Sequence, residues 1–247
     1  MSRAGLLAAI ALASAMPGSA EASGVDHAPW DRLLNRSVNQ DGLVNYRELK
    51  NHRAELATYL ANLATVDPAT LSREEQLAFW INAYNACVCT SVLDHQPLAS
   101  VKEVKEFFDR IPCRVAGTSL TLNQIEAKGR ALGDWRIHFA VVCASSSCPA
   151  LRNEAYTPER LDTQLHDQAA RFLNDRSRGL RVDGRVLWVS KIFKWYAKDF
   201  VPNGPLTAEA LVPVLRPYLS MKESLFPQDL KRLTLKFLGY DWLLNTQ

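Results

Sequence analysis

The stretch SREEQLAFWINAYNACVCTSVLD, residues 72–94, constrains the fold of this 247-residue chain more than any other segment. Ser72 and Glu75 have the spacing of a capping box, in which each side chain accepts a hydrogen bond from the other's backbone, so a helix is predicted over 73–94. Apolar residues occur on every side of this helix. A helix that is apolar all round is buried, so the rest of the chain is expected to surround it.

The remaining pattern predicts further helices and short strands. A helical period is present over 47–66, and an Asp-Gly pair at 183–184 indicates a hairpin. The run Trp135–Cys143 is apolar on both faces except for His138, which predicts a central strand. Together these elements predict an α+β fold, with several helices packed on a small, mainly antiparallel sheet in a single domain over 23–247.

The N-terminus has the features of a secretory signal peptide over residues 1–22. Arg3 precedes an apolar core at 6–15, and Ala20-Glu21-Ala22 matches an A-x-A cleavage site. The apolar core is too short to span a bilayer, and no transmembrane segment is predicted. We therefore expect an exported protein, periplasmic or secreted, whose five cysteines experience an oxidising compartment.

Charge and composition exclude several partners. The formal net charge is +3 and no dense Lys/Arg run is present, which argues against nucleic-acid binding. No glycine-rich phosphate loop occurs, and no cofactor is predicted. The sequence leaves the oligomeric state open.

Five separated motifs occur in order along the chain: EQLAFWINAYNAC, LTLNQIEAKGR, RIHFAVVCASSSCPALRNEAYTPERLDTQL, SKIFKWYAKDF and YDWLLN. Together they resemble the domain of unknown function 547 family, over roughly Asp41 to Asn245. The family pattern usually has a histidine directly after the glutamate of "IE", where this chain has Ala127. The resemblance implies a fold rather than an activity.

The loop that ends at Cys148-Pro149 suggests thiol chemistry. A cysteine at the start of a short helical turn has its thiolate favoured by unpaired backbone donors and the helix dipole. His138, ten residues earlier, is a candidate base. Glu126, on the preceding helix, is predicted to orient His138, which would complete a Cys-His-Glu triad by role.

Two other interpretations of these residues stay open. A disulfide between Cys143 and Cys148 would close the ASSS loop and mask the nucleophile, unless the two cysteines form a redox pair. A zinc site would use Cys143, Cys148, His138 and Glu126, but the spacing is not that of a common zinc motif, and no metal is predicted.

Five residues are predicted to contact a substrate: Asn82, Tyr84, Asn85, Arg152 and Trp195. The two asparagines would hold an oxyanion or a substrate amide, or else lock neighbouring loops through hydrogen bonds. Arg152 would bind a carboxylate or pair with an acidic side chain. Trp195 would line a groove or belong to the core.

Two functions follow from these residues. The first is a thiol-dependent hydrolase or acyltransferase that acts on a peptide-like or envelope-derived substrate, with Cys148, His138 and Glu126 as catalytic residues. The alternative is a non-catalytic envelope binding or structural module with a hydrogen-bonded or disulfide-closed Cys-Pro corner. The partner in either case is an unidentified small molecule or peptide.

Overall fold

The central helix is the one that the sequence predicts. The computed structural model describes residues 24–220 and 230–247, so the predicted signal peptide lies outside the described residues. Helix α4 spans Arg73–Asp94 and is buried without interruption from Leu77 to Cys89. Its capping box is formed: Glu75 N–H donates to Ser72 Oγ at 3.2 Å, and Ser72 N–H donates to Glu75 Oε2 at 2.7 Å. Because no face of α4 is free, the other elements pack around it.

From residue 24 up to α4, the structure has three α-helices: α1 (Ala28–Ser37), α2 (Tyr46–Asn51) and α3 (Arg53–Leu63). The single helix predicted over 47–66 is wrong, because the chain breaks into α2 and α3 at His52. The ring of Trp30 in α1 stacks on Tyr59 in α3, with centroids 5.9 Å apart.

A hairpin and a helix follow α4, after the short helix α5. The bounds are α5 (Phe107–Arg110), β1 (Pro112–Val115), β2 (Thr118–Thr121) and α6 (Leu122–Arg130). β1 and β2 are antiparallel, and a disulfide joins Cys87 of α4 to Cys113 of β1. Gln124 N–H donates to Thr121 Oγ1 at 3.3 Å and starts α6, which carries Glu126.

The central strand predicted over Trp135–Cys143 is wrong. Residues Trp135–Phe139 form a 3₁₀ helix, and the chain that follows is irregular. The side chain of Asn85 replaces a strand partner here: it donates to Ala140 O at 3.0 Å and accepts from Val142 N–H at 2.9 Å. An apolar run indicates burial, but buried backbone groups can be satisfied by a side chain as well as by a neighbouring strand.

The second half of the described chain adds helices and a three-stranded sheet. The bounds are α7 (Leu161–Leu173), β3 (Leu180–Asp183), β4 (Val186–Val189), α8 (Ile192–Trp195), α9 (Ala197–Phe200), α10 (Ala208–Leu215) and β5 (Thr234–Phe237). β4 pairs antiparallel with β3 and parallel with β5. The α+β fold class is confirmed, with two small sheets in the described residues rather than one.

The core of the described residues has two hydrophobic clusters. One surrounds α4 and the N-terminal helices, and the other lies between α7, α10 and the three-stranded sheet. Ile137 belongs to the first cluster and Phe139 to the second, so the segment that carries His138 lies where the clusters meet. Within the described ranges, no helix combines the length and the apolar character needed to cross a membrane.

The C-terminal segment returns to the loops beside α4. Leu244 N–H donates to Ala99 O at 2.8 Å, and Asn245 N–H donates to Ala144 O at 3.1 Å. The Tyr46 hydroxyl donates to Asn245 Oδ1 at 2.8 Å. These bonds bring the aromatic residues at 240 and 242 against the loop that contains Cys143 and Cys148.

Candidate functional site

A cavity of about 320 Å³ lies where α4, α6, α8 and the C-terminal segment meet. Its walls are largely aromatic, which is typical of ligand sites. The lining residues are Tyr84, Lys102, Phe108, Asn123, Glu126, His138, Val141, Cys143, Cys148, Ile192, Trp195, Tyr196, Tyr240 and Trp242. All three predicted catalytic residues and two of the five predicted substrate contacts therefore line one space.

The Cys148 sulfur is bonded to Cys143, so the disulfide interpretation matches the structure. The Tyr240 hydroxyl donates to Cys148 Sγ at 3.4 Å and lies 3.3 Å from Cys143 Sγ. Cys143 N–H also donates to Cys148 Sγ, at 2.9 Å. In this state Cys148 has no thiol, and the described residues contain no hydrogen bond between it and His138. The bridge forms part of the cavity wall.

His138 is oriented by Asp199. Its Nε2 lies 2.7 Å from Asp199 Oδ2, and Arg130 donates to both oxygens of the same carboxylate, at 2.7 and 3.0 Å. The predicted role of Glu126 as the orienting acid is therefore wrong. Helix α9 brings Asp199 to the imidazole from 61 residues further along the chain, and the spacing of α6 and His138 could not reveal this.

The imidazole of His138 is neutral near pH 7. Burial lowers the pKa of His138 to about 4, although the Asp199 carboxylate opposes this shift. Burial also acts to raise the pKa of Asp199, but the hydrogen bonds from Arg130 and His138 outweigh it and hold the carboxyl below its usual pKa. An ionised carboxylate only accepts hydrogen bonds, so Nε2 carries the proton and Nδ1 carries the lone pair. Nδ1 is buried and has no hydrogen-bond partner among the described residues.

Tyr196 fixes the plane of the imidazole. Its ring stacks on that of His138, with centroids 4.0 Å apart. The Arg130 guanidinium lies 4.7 Å from the centroid of the Tyr196 ring. The imidazole is thus held through Nε2 and over one face, so its position is set before any ligand enters.

Glu126 is the acidic residue of the cavity lining. It is 6% exposed. Burial raises the pKa of its carboxyl, and the Tyr196 hydroxyl and the Arg130 charge only partly offset this effect. Glu126 Oε1 has no hydrogen-bond partner within the described part of the chain. Two residues of the lining therefore each have a buried polar atom without a hydrogen-bond partner among the described residues, Glu126 Oε1 and His138 Nδ1, and both atoms are almost fully covered by the fold.

The predicted substrate contacts divide into two groups. Tyr84 and Trp195 line the cavity, and Trp195 is 46% exposed. Asn82 instead donates to Tyr156 O at 2.7 Å and accepts from Tyr156 N–H at 3.0 Å, and Asn85 makes the equivalent clamp on the 140–142 backbone. Each amide both donates and accepts within the fold, which matches the loop-locking interpretation.

Arg152 does not line the cavity. It forms ion pairs with Glu154 and Asp167, so its guanidinium is engaged with acidic side chains. This matches the interpretation of Arg152 as a partner of an acid. Neither Arg152 nor the two asparagines supports a role in holding a ligand at the cavity.

Several lining residues were not predicted from the sequence. Lys102, Tyr196, Tyr240 and Trp242 reach the site from separate parts of the chain. Three of them lie in aromatic motifs that the sequence shows: Tyr196 in KWYAKDF, and Tyr240 and Trp242 in YDWLLN. The remaining cysteines are a second disulfide, Cys87–Cys113, and Cys89, a buried thiol whose pKa burial raises to about 12.

Several residues of the cavity lining, including Glu126 and His138, lie in a segment of the chain that matches a known family. Residues 68–173 match the family model described as "Protein of unknown function, DUF547". The resemblance predicted from the motifs is confirmed over this segment. Tyr84, Lys102, Glu126, His138 and Cys148 lie inside the DUF547 segment, whereas Trp195, Tyr196, Asp199, Tyr240 and Trp242 follow it.

Other comparisons add no relative. Neither the curated proteins nor the solved structures contain a match to the chain. Ala127, which stands where the family pattern usually has histidine, is exposed on α6 while its neighbour Glu126 is buried. No group of three or more His, Cys, Asp or Glu side chains in the described residues is arranged to hold a metal ion.

Proposed function

We propose that the protein is a binding module whose cavity takes a small-molecule or peptide ligand with an aromatic or other flat apolar part. The aromatic enclosure carries this proposal, because ligand sites are concave and lined mainly by apolar and aromatic side chains. Glu126 Oε1 and His138 Nδ1, on two residues of the lining, also lack hydrogen-bond partners among the described residues, and an unpaired buried polar group costs about 1–3 kcal/mol. A ligand that shifts the side chains covering these atoms would recover this cost by bonding to them.

The disulfide supports binding rather than chemistry in the oxidised protein. With its sulfur bonded to Cys143, Cys148 offers no nucleophile. The bridge instead stiffens the loop against which Tyr240 packs. We further propose that the protein works outside the cytoplasm, because four of its five cysteines are paired in disulfides, which persist in oxidising compartments.

A fragment screen tests the binding proposal. Small aromatic acids and amides are added to isotope-labelled oxidised protein, and the indole N–H signals are followed by NMR. We expect bound fragments to shift the signals of Trp195 and Trp242 but not that of Trp188, which lies outside this cavity. Trp195→Ala should weaken binding, and the matched variant Trp188→Ala should not. A screen in which no fragment shifts Trp195 or Trp242 at millimolar concentration would overturn the proposal.

A second candidate function is thiol-dependent hydrolysis or acyl transfer on a peptide-like or envelope-derived substrate. One observation favours it: Cys148 and His138 line the same cavity. The hydrogen bond to Asp199 also sets the tautomer of the His138 imidazole, as a catalytic base requires. A dithiol reductant would first open the Cys143–Cys148 bridge. The Cys148 sulfur would then attack a carbonyl carbon, His138 would pass the thiol proton to the leaving group, and water or an acceptor amine would release the acyl group.

Alkylation after reduction tests this second candidate. Reduced protein is treated with iodoacetamide across a range of pH, and the modified cysteines are assigned by mass spectrometry. Activation predicts that Cys148 reacts near neutral pH faster than Cys143, and that His138→Ala removes this advantage. Equal reactivity of the two thiols, or an unchanged rate in the variant, would rule the enzyme out.

A further inference from the structure

Lys102 places one positive charge at the mouth of the cavity. Its Nζ lies 4.5 Å from the centroid of the Trp242 ring, which is a cation–π distance. No ion pair joins this ammonium group to an acidic side chain of the described residues. The charge therefore remains available to a ligand.

The fold ties the backbone of Lys102 to that of Trp242. Lys102 lies in the 3₁₀ segment Val101–Glu103, where its backbone N–H donates to Ser100 Oγ at 3.2 Å. The same hydroxyl donates to Trp242 O at 2.6 Å. The backbones that carry the ammonium group and the aromatic ring are thus tied together through one serine.

One acidic side chain, Glu126, shares the described lining with Lys102. Burial raises the pKa of its carboxyl, which weakens its competition for the Lys102 ammonium group. Asp109, near the rim, accepts from Asn123 Nδ2 at 2.6 Å and does not line the cavity. The mouth therefore carries a lysine without an ion-pair partner in the described residues, and the walls are aromatic.

On the basis of the proposed binding function, we infer that the cavity selects ligands that carry a carboxylate on a flat apolar body. The carboxylate lies against the Lys102 ammonium group, and the apolar body packs on Trp195, Tyr240 and Trp242. Lys102 is then a specificity-determining residue, since it separates acids from otherwise identical neutral molecules.

The test uses a pair of probes that differ only in this charge. N-acetyl-L-phenylalanine and N-acetyl-L-phenylalaninamide are titrated into oxidised protein near pH 7, and their dissociation constants are measured by NMR. We expect the acid to bind about three- to five-fold more tightly than the amide, because a partly exposed ion pair contributes up to about 1 kcal/mol. The preference should shrink as salt is added.

Matched lysine variants assign the effect. Lys102→Gln should abolish the preference for the acid over the amide. Lys105→Gln, which changes an exposed lysine outside the cavity lining, should keep that preference. Equal binding of acid and amide to the native protein, or a preference that survives Lys102→Gln, overturns the inference and leaves the binding proposal standing. If neither probe nor any screened fragment binds at millimolar concentration, both fail.

Discussion

Mild acid should destabilise this protein through the neutral imidazole of His138. Its pKa is about 4 in the folded protein because of burial, against 6.5 in an unfolded chain. Below pH 6.5 the unfolded state binds the proton more readily, so stability is full above that pH and falls as the pH approaches 4. At about 1.4 kcal/mol per pH unit the whole effect is about 3 kcal/mol, of which about 2 kcal/mol is lost between pH 7 and 5.

Urea unfolding at pH 7, 6 and 5 measures this loss, and glutamine variants assign it. The native protein should lose about 2 kcal/mol more than His138→Gln between pH 7 and 5. His27 provides the matched control, since burial also lowers its pKa to about 4 while its Nδ1 lies 2.7 Å from the Tyr59 hydroxyl, outside the cavity lining. His27→Gln should reduce the loss of unfolding free energy between pH 7 and 5 by a similar amount, and the part of that loss that comes from His138 should remain. The raised pKa of Glu126 acts in the opposite direction, but it is common to all three proteins and cancels in the comparison. Equal pH dependence in the native protein and His138→Gln would refute the reasoning.

Two further predictions concern the framework around the site. The disulfides close loops of 26 and 5 residues. From these loop lengths, Cys87→Ala with Cys113→Ala should cost about 3.5 kcal/mol of unfolding free energy, and Cys143→Ala with Cys148→Ala about 2 kcal/mol. Urea unfolding that shows the larger loss for the shorter loop would contradict this order. Asn82→Ala should cost about 2–4 kcal/mol, because both backbone groups of Tyr156 lose their buried partner. In thermal unfolding, a variant as stable as the native protein would show that the clamp is dispensable.

Local rules predicted the elements whose hydrogen bonds close within a few residues. The capping box at Ser72 starts α4 as expected, because the bonding groups are three residues apart in the chain. The hairpin at 183–184 forms for the same reason. The strand predicted over Trp135–Cys143 was wrong because the backbone of this run bonds to the side chain of Asn85, which is more than fifty residues away in the chain.

Composition and spacing were also sufficient to single out His138, Glu126, Tyr84, Trp195 and the Cys143–Cys148 corner, all of which line the cavity. They were insufficient to pair these residues. The partner of His138 was predicted to be Glu126 but is Asp199, and the pairing of Cys87 with Cys113 was not foreseen. Residue types mark polar groups that need partners, whereas the packing of α6 and α9 around the imidazole decides which partner is in reach.

By itself, the amino-acid sequence determined the burial of α4 on all sides, the capping box that starts α4, and the α+β class. Periodicity and capping act over short distances along the chain, so they can be read from the sequence. The tertiary structure alone decided that the Cys148 sulfur is bonded, that Asp199 holds His138, and that Lys102 lies over Trp242. Each of these contacts depends on atoms from separate segments meeting within a few ångströms, and that depends on how the whole chain packs around α4.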